Sequence, residues 1–156
     1  MSASPSAREL SFASLILRLS LGQLMLVAGL GKFLRNDSVG AWVETMAKGF
    51  ETTPLPLWVV IPYGYALPYV EIVLGLMLIL GVLSRPAMLA TAALLLSLTF
   101  GMTLQAQFAT VANNTMYTAL AAATFVLLRW NHFSLDHILG LDAKVEPLMT
   151  GNEPAR

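Results

Sequence analysis

Two cationic side chains and one carboxylate stand inside long apolar stretches of the sequence. Glu71 lies in LPYVEIVLGLMLILGVLSRP, and Arg18 and Lys32 lie in an earlier stretch that is otherwise largely apolar. Ionisable groups within a membrane span are costly, so they usually face the protein interior, pair with one another and mark ion or proton pathways. Opposite charges in such a setting can hydrogen-bond a polar ligand or exchange protons with it.

The composition indicates that the solvent of this chain is lipid. The 156 residues are 56% hydrophobic and 12% charged, with a mean hydropathy of +0.69, whereas soluble domains carry about 25% charged residues. The formal net charge is zero, so there is no basic surplus to bind nucleic acid. The chain has no cysteine, which excludes disulfides, iron–sulfur clusters and thiolate-bound zinc.

Four apolar stretches account for most of the chain, and each is interpreted as a membrane-spanning helix. A bilayer core requires about 20 residues of helix, and every backbone amide within lipid needs an internal partner. Arg18 interrupts the first stretch, which argues against a cleavable signal peptide. The predicted fold is an all-α integral membrane four-helix bundle. Its spans cover residues 12–34, 65–83, 87–108 and 115–130, with tails at 1–11 and 131–156.

The segment between the first two spans is predicted to be interfacial or re-entrant. Trp42, Met46 and Phe50 recur every four residues, and such an apolar stripe suits a helix that lies at the membrane surface. The following PLPLWVVIPYGYALP contains four prolines, which oppose a regular helix. An irregular re-entrant or interfacial segment is therefore expected there. Pro86 suits the start of the third span, and Asn114 suits the N-cap of the fourth.

The distribution of Lys and Arg predicts that both termini are cytoplasmic. Arg8, Arg85, Arg129 and Lys144 fall on the side of the termini. On the other side, three Lys and Arg residues are offset by three acids. Cytoplasmic loops carry the excess of Lys and Arg, so the side of the termini is assigned to the cytoplasm.

Helix geometry predicts an ion pair between Lys32 and Glu71 in the outer half of the bundle. A rise of about 1.5 Å per residue places the two side chains at similar depths on antiparallel neighbouring helices. Helical side chains lean toward their own N-terminus, so Lys32 and Glu71 lean toward each other. Arg18 leans toward the cytoplasm, where it can snorkel, and is the second candidate partner of Glu71.

Glycines on the predicted contact faces favour close packing of the first two spans. Gly22 and Gly29 share a face of the first span with the two cations, and Gly75 shares a face of the second span with the carboxylate. Small residues let membrane helices approach closely. Two interpretations of the ion pair stay open: it handles protons or a ligand, or it only fixes the packing of the helices.

A polar pocket is expected next to the predicted ion pair. Gln105 and Tyr117 lie in apolar runs at the outer ends of the third and fourth spans, level with the pair. Gln107 and Asn113 are better explained as loop and cap residues. The sequence has no nucleotide-binding loop, Ser-His-Asp set or metal-ligand cluster, so neither a metal nor an intrinsic cofactor is predicted. Any electrons would need a diffusible carrier such as a quinone.

The sequence resembles the DoxX family of small bacterial membrane proteins with four helices. The resemblance covers about residues 12–130 and rests on LILRLSLG, GLGKF and PYVEIVLGLMLILGVLSRP. These motifs hold the ordered charges Arg18, Lys32, Glu71 and Arg85. The resemblance implies a multi-pass protein of the bacterial inner membrane. Related DoxD-type chains are a membrane subunit of thiosulfate:quinone oxidoreductase, and other members are accessory proteins in redox homeostasis.

Two functional hypotheses follow. In the first, the chain is the membrane subunit of a quinone-linked redox system, and Lys32 and Glu71 bind the quinone headgroup or relay its protons. Gln105, Tyr117 and Arg18 would then belong to the quinone site. In the second, the chain is a non-catalytic accessory subunit whose small-residue faces dock onto other helices. In both hypotheses the partners are the lipid bilayer and other membrane or periplasmic protein subunits.

Overall fold

The computed structural model describes residues 6–35, 38–131 and 133–138, and the described residues form helices joined by short connections. Four helices are long and apolar enough to cross a membrane, which confirms the predicted all-α membrane fold. The long helices are α1 (Ala7–Leu34), α3 (Leu57–Leu80), α4 (Ser84–Leu104) and α5 (Phe108–Leu127). The short ones are α2 (Val39–Lys48), α6 (Leu135–Ile138) and a 3₁₀ turn after α5 (Leu128–Trp130).

The expectation of an irregular proline-rich segment before the second span is wrong. Helix α3 begins at Leu57 instead of Tyr65 and contains both Pro62 and Pro68. Each proline removes one backbone hydrogen bond, whereas an irregular segment in lipid would leave several amides unpaired, so the helix is the better solution. Pro56 occupies the N-cap, where a missing N–H costs little. The helix predicted around Trp42 is present as α2.

The fourth span also differs from its predicted bounds. Helix α5 begins at Phe108, and together with the 3₁₀ turn it has 23 residues, so the span is not short. Asn114 lies inside α5, and the residue at the N-cap is Gln107, so the predicted Asn114 cap is wrong. The chain turns more tightly than expected because Ala106 adopts a left-handed conformation with a φ of 54°.

The N-terminal end of α1 extends beyond the predicted span. The helix begins at Ala7, where Ser6 and Glu9 form a reciprocal capping box. The Ser6 hydroxyl accepts from the Glu9 amide, and the Glu9 carboxylate accepts from the Ser6 amide at 2.7 Å. Such a cap satisfies two amides that the first helical turn would leave unpaired. Part of the predicted tail is therefore helical.

Helices α1 and α3 form the most extensive contact of the bundle, followed by α4 with α5. Helix α5 also contacts α1, and α2 packs mainly on α3. The apolar core lies where α1, α3, α4 and α5 meet, and it is centred on Leu21, Leu78, Met88 and Leu95, each at most 1% exposed. The pairing of α1 with α3 is the one that brings Lys32 and Glu71 together.

Three glycines permit the close contact between α1 and α3, as the sequence predicted. A Cβ added at Gly75 would lie 2.6 Å from the backbone nitrogen of Leu26 and 2.9 Å from the carbonyl oxygen of Gly22. A Cβ at Gly29 would lie 2.8 Å from the carbonyl oxygen of Pro68. Backbone atoms cannot move aside as side chains can, so any larger residue would push the helices apart.

We expect Gly75→Ala to separate α1 from α3 and to lower the free energy of unfolding by about 1–3 kcal/mol, the usual cost of overpacking a tight contact. Thermal unfolding of the purified chain in detergent measures this effect. Gly31→Ala is the matched control, because a Cβ there would meet only the Arg35 side chain at 3.9 Å. Equal melting temperatures for the two variants would contradict the close-packing account.

Candidate functional site

The predicted ion pair between Lys32 and Glu71 is present. The Nζ atom of Lys32 donates to Oε2 of Glu71 at 2.5 Å, and the side chains are 14% and 3% exposed respectively. Lys32 also approaches the carbonyl oxygen of Ala28 at 3.3 Å and lies 5.1 Å from the ring centroid of Trp42. The carboxylate is thus enclosed by protein, while the ammonium retains some exposure.

Three helices position this pair. Lys32 lies in the last turn of α1, and Gly29 one turn earlier lets α1 approach the backbone of α3 beside Glu71. The two side chains lean toward each other, as the helix directions predicted. Helix α2 then places Trp42 over the ammonium, where the face of the ring attracts the cation. Lys32 therefore has an anion on one side and an aromatic face on another.

Lys32 also lines a surface groove that follows α1. The groove has a volume of about 730 Å³ and is lined by one stripe of α1 from Ser20 to Arg35, with Trp42 of α2 at one end. Leu24, Val27 and Ala28 supply apolar wall, whereas Glu71 does not line the groove. Any molecule in the groove would consequently meet the ion pair through the lysine.

The structure does not bring Gln105 or Tyr117 into this groove. Gln105 follows the end of α4 and lies beside Gly49, where an added Cβ would come within 2.5 Å of its Oε1 atom. Gln107 donates to Gln105 at 3.1 Å. Tyr117 lies on α5 and packs against the apolar core. The two residues predicted to share a polar pocket with the ion pair therefore lie in different parts of the bundle.

Arg18 does not snorkel and does not approach Glu71; it is only 1% exposed and lies in the other half of α1. Its Nη1 atom donates to the Asn131 side chain at 2.8 Å, and Nη2 donates to the Phe133 carbonyl oxygen at 2.7 Å. Asn131 in turn donates to the Ser84 hydroxyl at 3.2 Å. The arginine stays buried because the chain after α5 folds back to supply polar partners.

The same returning segment caps a second helix. The Asp136 carboxylate accepts from the backbone amides of Leu83 and Ser84 at 2.7 and 2.6 Å, at the start of α4. The Asp136 amide donates to the carbonyl oxygen of Gly81 at 3.0 Å. An acid at a helix N-terminus satisfies unpaired amides and complements the helix dipole. Asn131, Phe133 and Asp136 thus tie the α3–α4 connection to α1.

Sequence reasoning missed Asn131 and Asp136 because they were assigned to a tail. A usable signal was present, since a buried arginine in a span must find a polar partner. In the structure Gly81 leaves room for this arginine, since its φ is +69° and a Cβ there would overlap the Arg18 guanidinium. No pattern in the sequence, however, places the returning segment against this particular helix connection.

The fold has four apolar helices, and a lysine–glutamate pair joins α1 to α3. These features define an α-helical multi-pass membrane protein with a buried charge pair. The chain belongs to the DoxX family, whose model matches residues 13–104. That match extends from α1 to the end of α4 and includes Arg18, Lys32, Glu71 and Arg85. Neither the curated proteins nor the solved structures provide a match to this chain.

We expect Asp136→Ala to release the segment after Trp130, because the first amides of α4 lose their acceptor. The loss of a helix cap costs about 1–2 kcal/mol, so local opening should become several-fold more frequent. Limited proteolysis of the chain in detergent, followed by mass spectrometry, measures cleavage after Trp130. Glu44→Ala, which removes an exposed acid of α2, serves as control, and equal cleavage rates in both variants would contradict the capping role.

Proposed function

We propose that this chain is the membrane subunit of a quinone-linked redox system, with Lys32 as the residue that meets the quinone. The observation that carries the proposal is the position of Lys32, which bonds a buried carboxylate and also lines an open groove. A purely structural ion pair has no need of a groove beside it. A ligand that accepts a hydrogen bond from Lys32 would place its reacting oxygen next to the pair.

The chemistry of the groove suits a quinone. Its apolar wall of Leu24, Val27 and Ala28 matches a hydrocarbon tail, and Trp42 offers a flat face for a ring. Ligand sites of this kind combine apolar walls with a few polar groups that fix orientation. The lining also includes Ser20, Gln23 and Arg35. Lys32 is the polar group that touches the buried carboxylate, and its donor character matches a quinone carbonyl oxygen.

The proposed reaction balances as the two-electron reduction of a quinone. The quinone accepts two electrons from a redox partner subunit and two protons, one on each carbonyl oxygen, and becomes a quinol. The Lys32 ammonium donates one proton to the oxygen that it hydrogen-bonds, and water outside the membrane re-protonates the amine. The second carbonyl oxygen takes its proton directly from water in the open groove. The Glu71 carboxylate favours return of that proton, because the ammonium form restores charge balance in the pair.

Removal of the Lys32 charge should weaken quinone binding by roughly 10- to 100-fold, the value of a hydrogen bond from a charged donor. The measurement is saturable quenching of tryptophan fluorescence by decylubiquinone, with the full chain in lipid nanodiscs and empty nanodiscs as blank. Lys32→Met tests the site, and Lys48→Met is the matched control because Lys48 is an exposed cation at the end of α2.

Lys32→Met alone leaves the buried Glu71 charge without its partner, which destabilises a protein by about 3–5 kcal/mol. The test therefore also uses the double variant in which Lys32→Met is combined with Glu71→Gln. Retention of full decylubiquinone affinity in the folded double variant would refute the proposal. In a complex isolated with its partner chains, Glu71→Gln should abolish quinone-dependent turnover without preventing assembly.

A second candidate function, that of an accessory subunit without chemistry, is favoured by the surface of α5. Only Ala121 and Thr124 of this helix are buried, and small residues such as Ala119, Ala122 and Ala123 are exposed. Exposed small residues suit helix docking within lipid. In this case Glu71→Gln would lower the yield of the complex, whereas the complex that does assemble would keep its activity.

We also propose that the chain resides in the bacterial inner membrane with both termini in the cytoplasm. Arg8, Arg85 and Arg129 lie at the end of the bundle where α1 begins and α5 ends. Positive residues of this kind remain on the cytoplasmic side. The opposite end, which carries α2, would then face the periplasm.

Because the chain has no cysteine, single cysteines can report this orientation. In intact spheroplasts, a membrane-impermeant maleimide should label Thr52→Cys, on the α2 side, and should leave Ala7→Cys unlabelled until the membrane is permeabilised. The reverse pattern would show that the proposed orientation is inverted.

A further inference from the structure

A second cavity lies on the other side of α2, and none of its lining residues belongs to the Lys32 groove. It has a volume of about 240 Å³, is bordered by α2, the loop that follows it, α3 and α4, and is open on the side of Tyr63, Ser97 and Phe100, which are exposed. Met46 and Phe50 cover it from the α2 side, Tyr63 comes from α3, and Gly101 comes from α4. Within the described part of the chain, no charged residue lines this cavity.

The lining of this cavity contains two hydroxyl groups that form a hydrogen bond with each other. The Tyr63 and Ser97 oxygens lie 2.7 Å apart, and the Ser97 hydroxyl is also 2.7 Å from the carbonyl oxygen of Leu94. A serine hydroxyl has one proton, and a carbonyl oxygen can only accept. The Ser97 hydroxyl therefore donates its hydrogen bond to the Leu94 carbonyl oxygen, and the Tyr63 hydroxyl donates to the Ser97 oxygen. The Tyr63 oxygen can still accept a hydrogen bond.

The volume of the cavity indicates the size of a ligand. A dry apolar cavity of about 150 Å³ in another protein holds benzene, so this larger cavity has room for two fused rings. Gly101 contributes to that space, since a Cβ there would lie 3.3 Å from the Cζ atom of Phe50. The aromatic side chains of Phe50 and Tyr63 favour a flat ring through edge or offset contacts.

We propose that this cavity binds a flat apolar molecule of about two fused rings that carries a hydroxyl group, with the hydroxyl donating to the Tyr63 oxygen. The free acceptor distinguishes the cavity from the Lys32 groove, where the protein supplies the donor. A carbonyl-bearing ring suits the groove, and a phenol-type ring suits the cavity. This proposal does not depend on the quinone function, because the two openings share no lining residue.

The test compares 2-naphthol with 2-methylnaphthalene, which has a similar shape but no donor. The full chain is held in nanodiscs, and saturable binding is measured by equilibrium dialysis against empty nanodiscs, with affinities referred to the lipid-phase concentration. We expect saturable binding of both probes, with 2-naphthol about 3- to 10-fold tighter, the range of one neutral hydrogen bond.

Two variants locate the binding. Tyr63→Phe should make the two probes equal by weakening 2-naphthol alone, and Gly101→Leu should abolish the binding of both by filling the cavity. Ala93→Leu is the control for added bulk, because Ala93 is an exposed residue of α4 that does not line the cavity. Lys48→Met, which alters an exposed cation outside both linings, should have no effect on either probe.

Three outcomes would overturn the proposal. Equal affinity of the two probes for the unaltered chain would remove the role of the Tyr63 acceptor. Undiminished binding to Gly101→Leu, with its fold verified by circular dichroism, would place the ligand elsewhere. Uptake that follows lipid content alone, without saturation, would show that the probes only partition into the bilayer.

Discussion

A carboxylate enclosed in a lipid-embedded bundle needs a cation at hydrogen-bonding distance, and this need governs the arrangement of α1 and α3. Glu71 is 2% exposed and pairs with Lys32 from the neighbouring helix. A charge transferred from water without a partner would cost several kcal/mol. The distance between the two charged groups is short enough only because Gly29 and Gly75 let the two backbones approach. Packing and electrostatics therefore specify the same helix contact.

Helix α1 contains two buried cations that are stabilised in different ways. Lys32 meets a carboxylate, whereas Arg18 donates to a side-chain amide and a backbone carbonyl. Arginine suits the second environment because its planar fork holds several donors in fixed directions. The nearby acid, Asp136, bonds backbone amides of α4 instead. One end of α1 thus holds an ion pair with α3, and the other end anchors the returning chain.

Much of the fold was predictable, because hydropathy and length identify membrane helices independently of tertiary detail. The Lys32–Glu71 pair was predictable for a related reason: helix rise and side-chain direction fix its geometry. The local rules failed at Pro62 and Asn114, where the demand for paired amides in lipid outweighed the usual preferences of proline and asparagine. Arg18 was misplaced because its partners come from a segment more than a hundred residues away, and no local pattern reports such a contact.

The role of α2 follows from where its apolar stripe points. Trp42 covers the cationic groove, whereas Met46, one turn later, covers the uncharged cavity. A single amphipathic helix on α3 therefore lies between a groove lined by Lys32 and an uncharged cavity lined by Tyr63. Because Gly64 of α3 leaves room for Met46, the helix can lie close to the bundle and cover both openings.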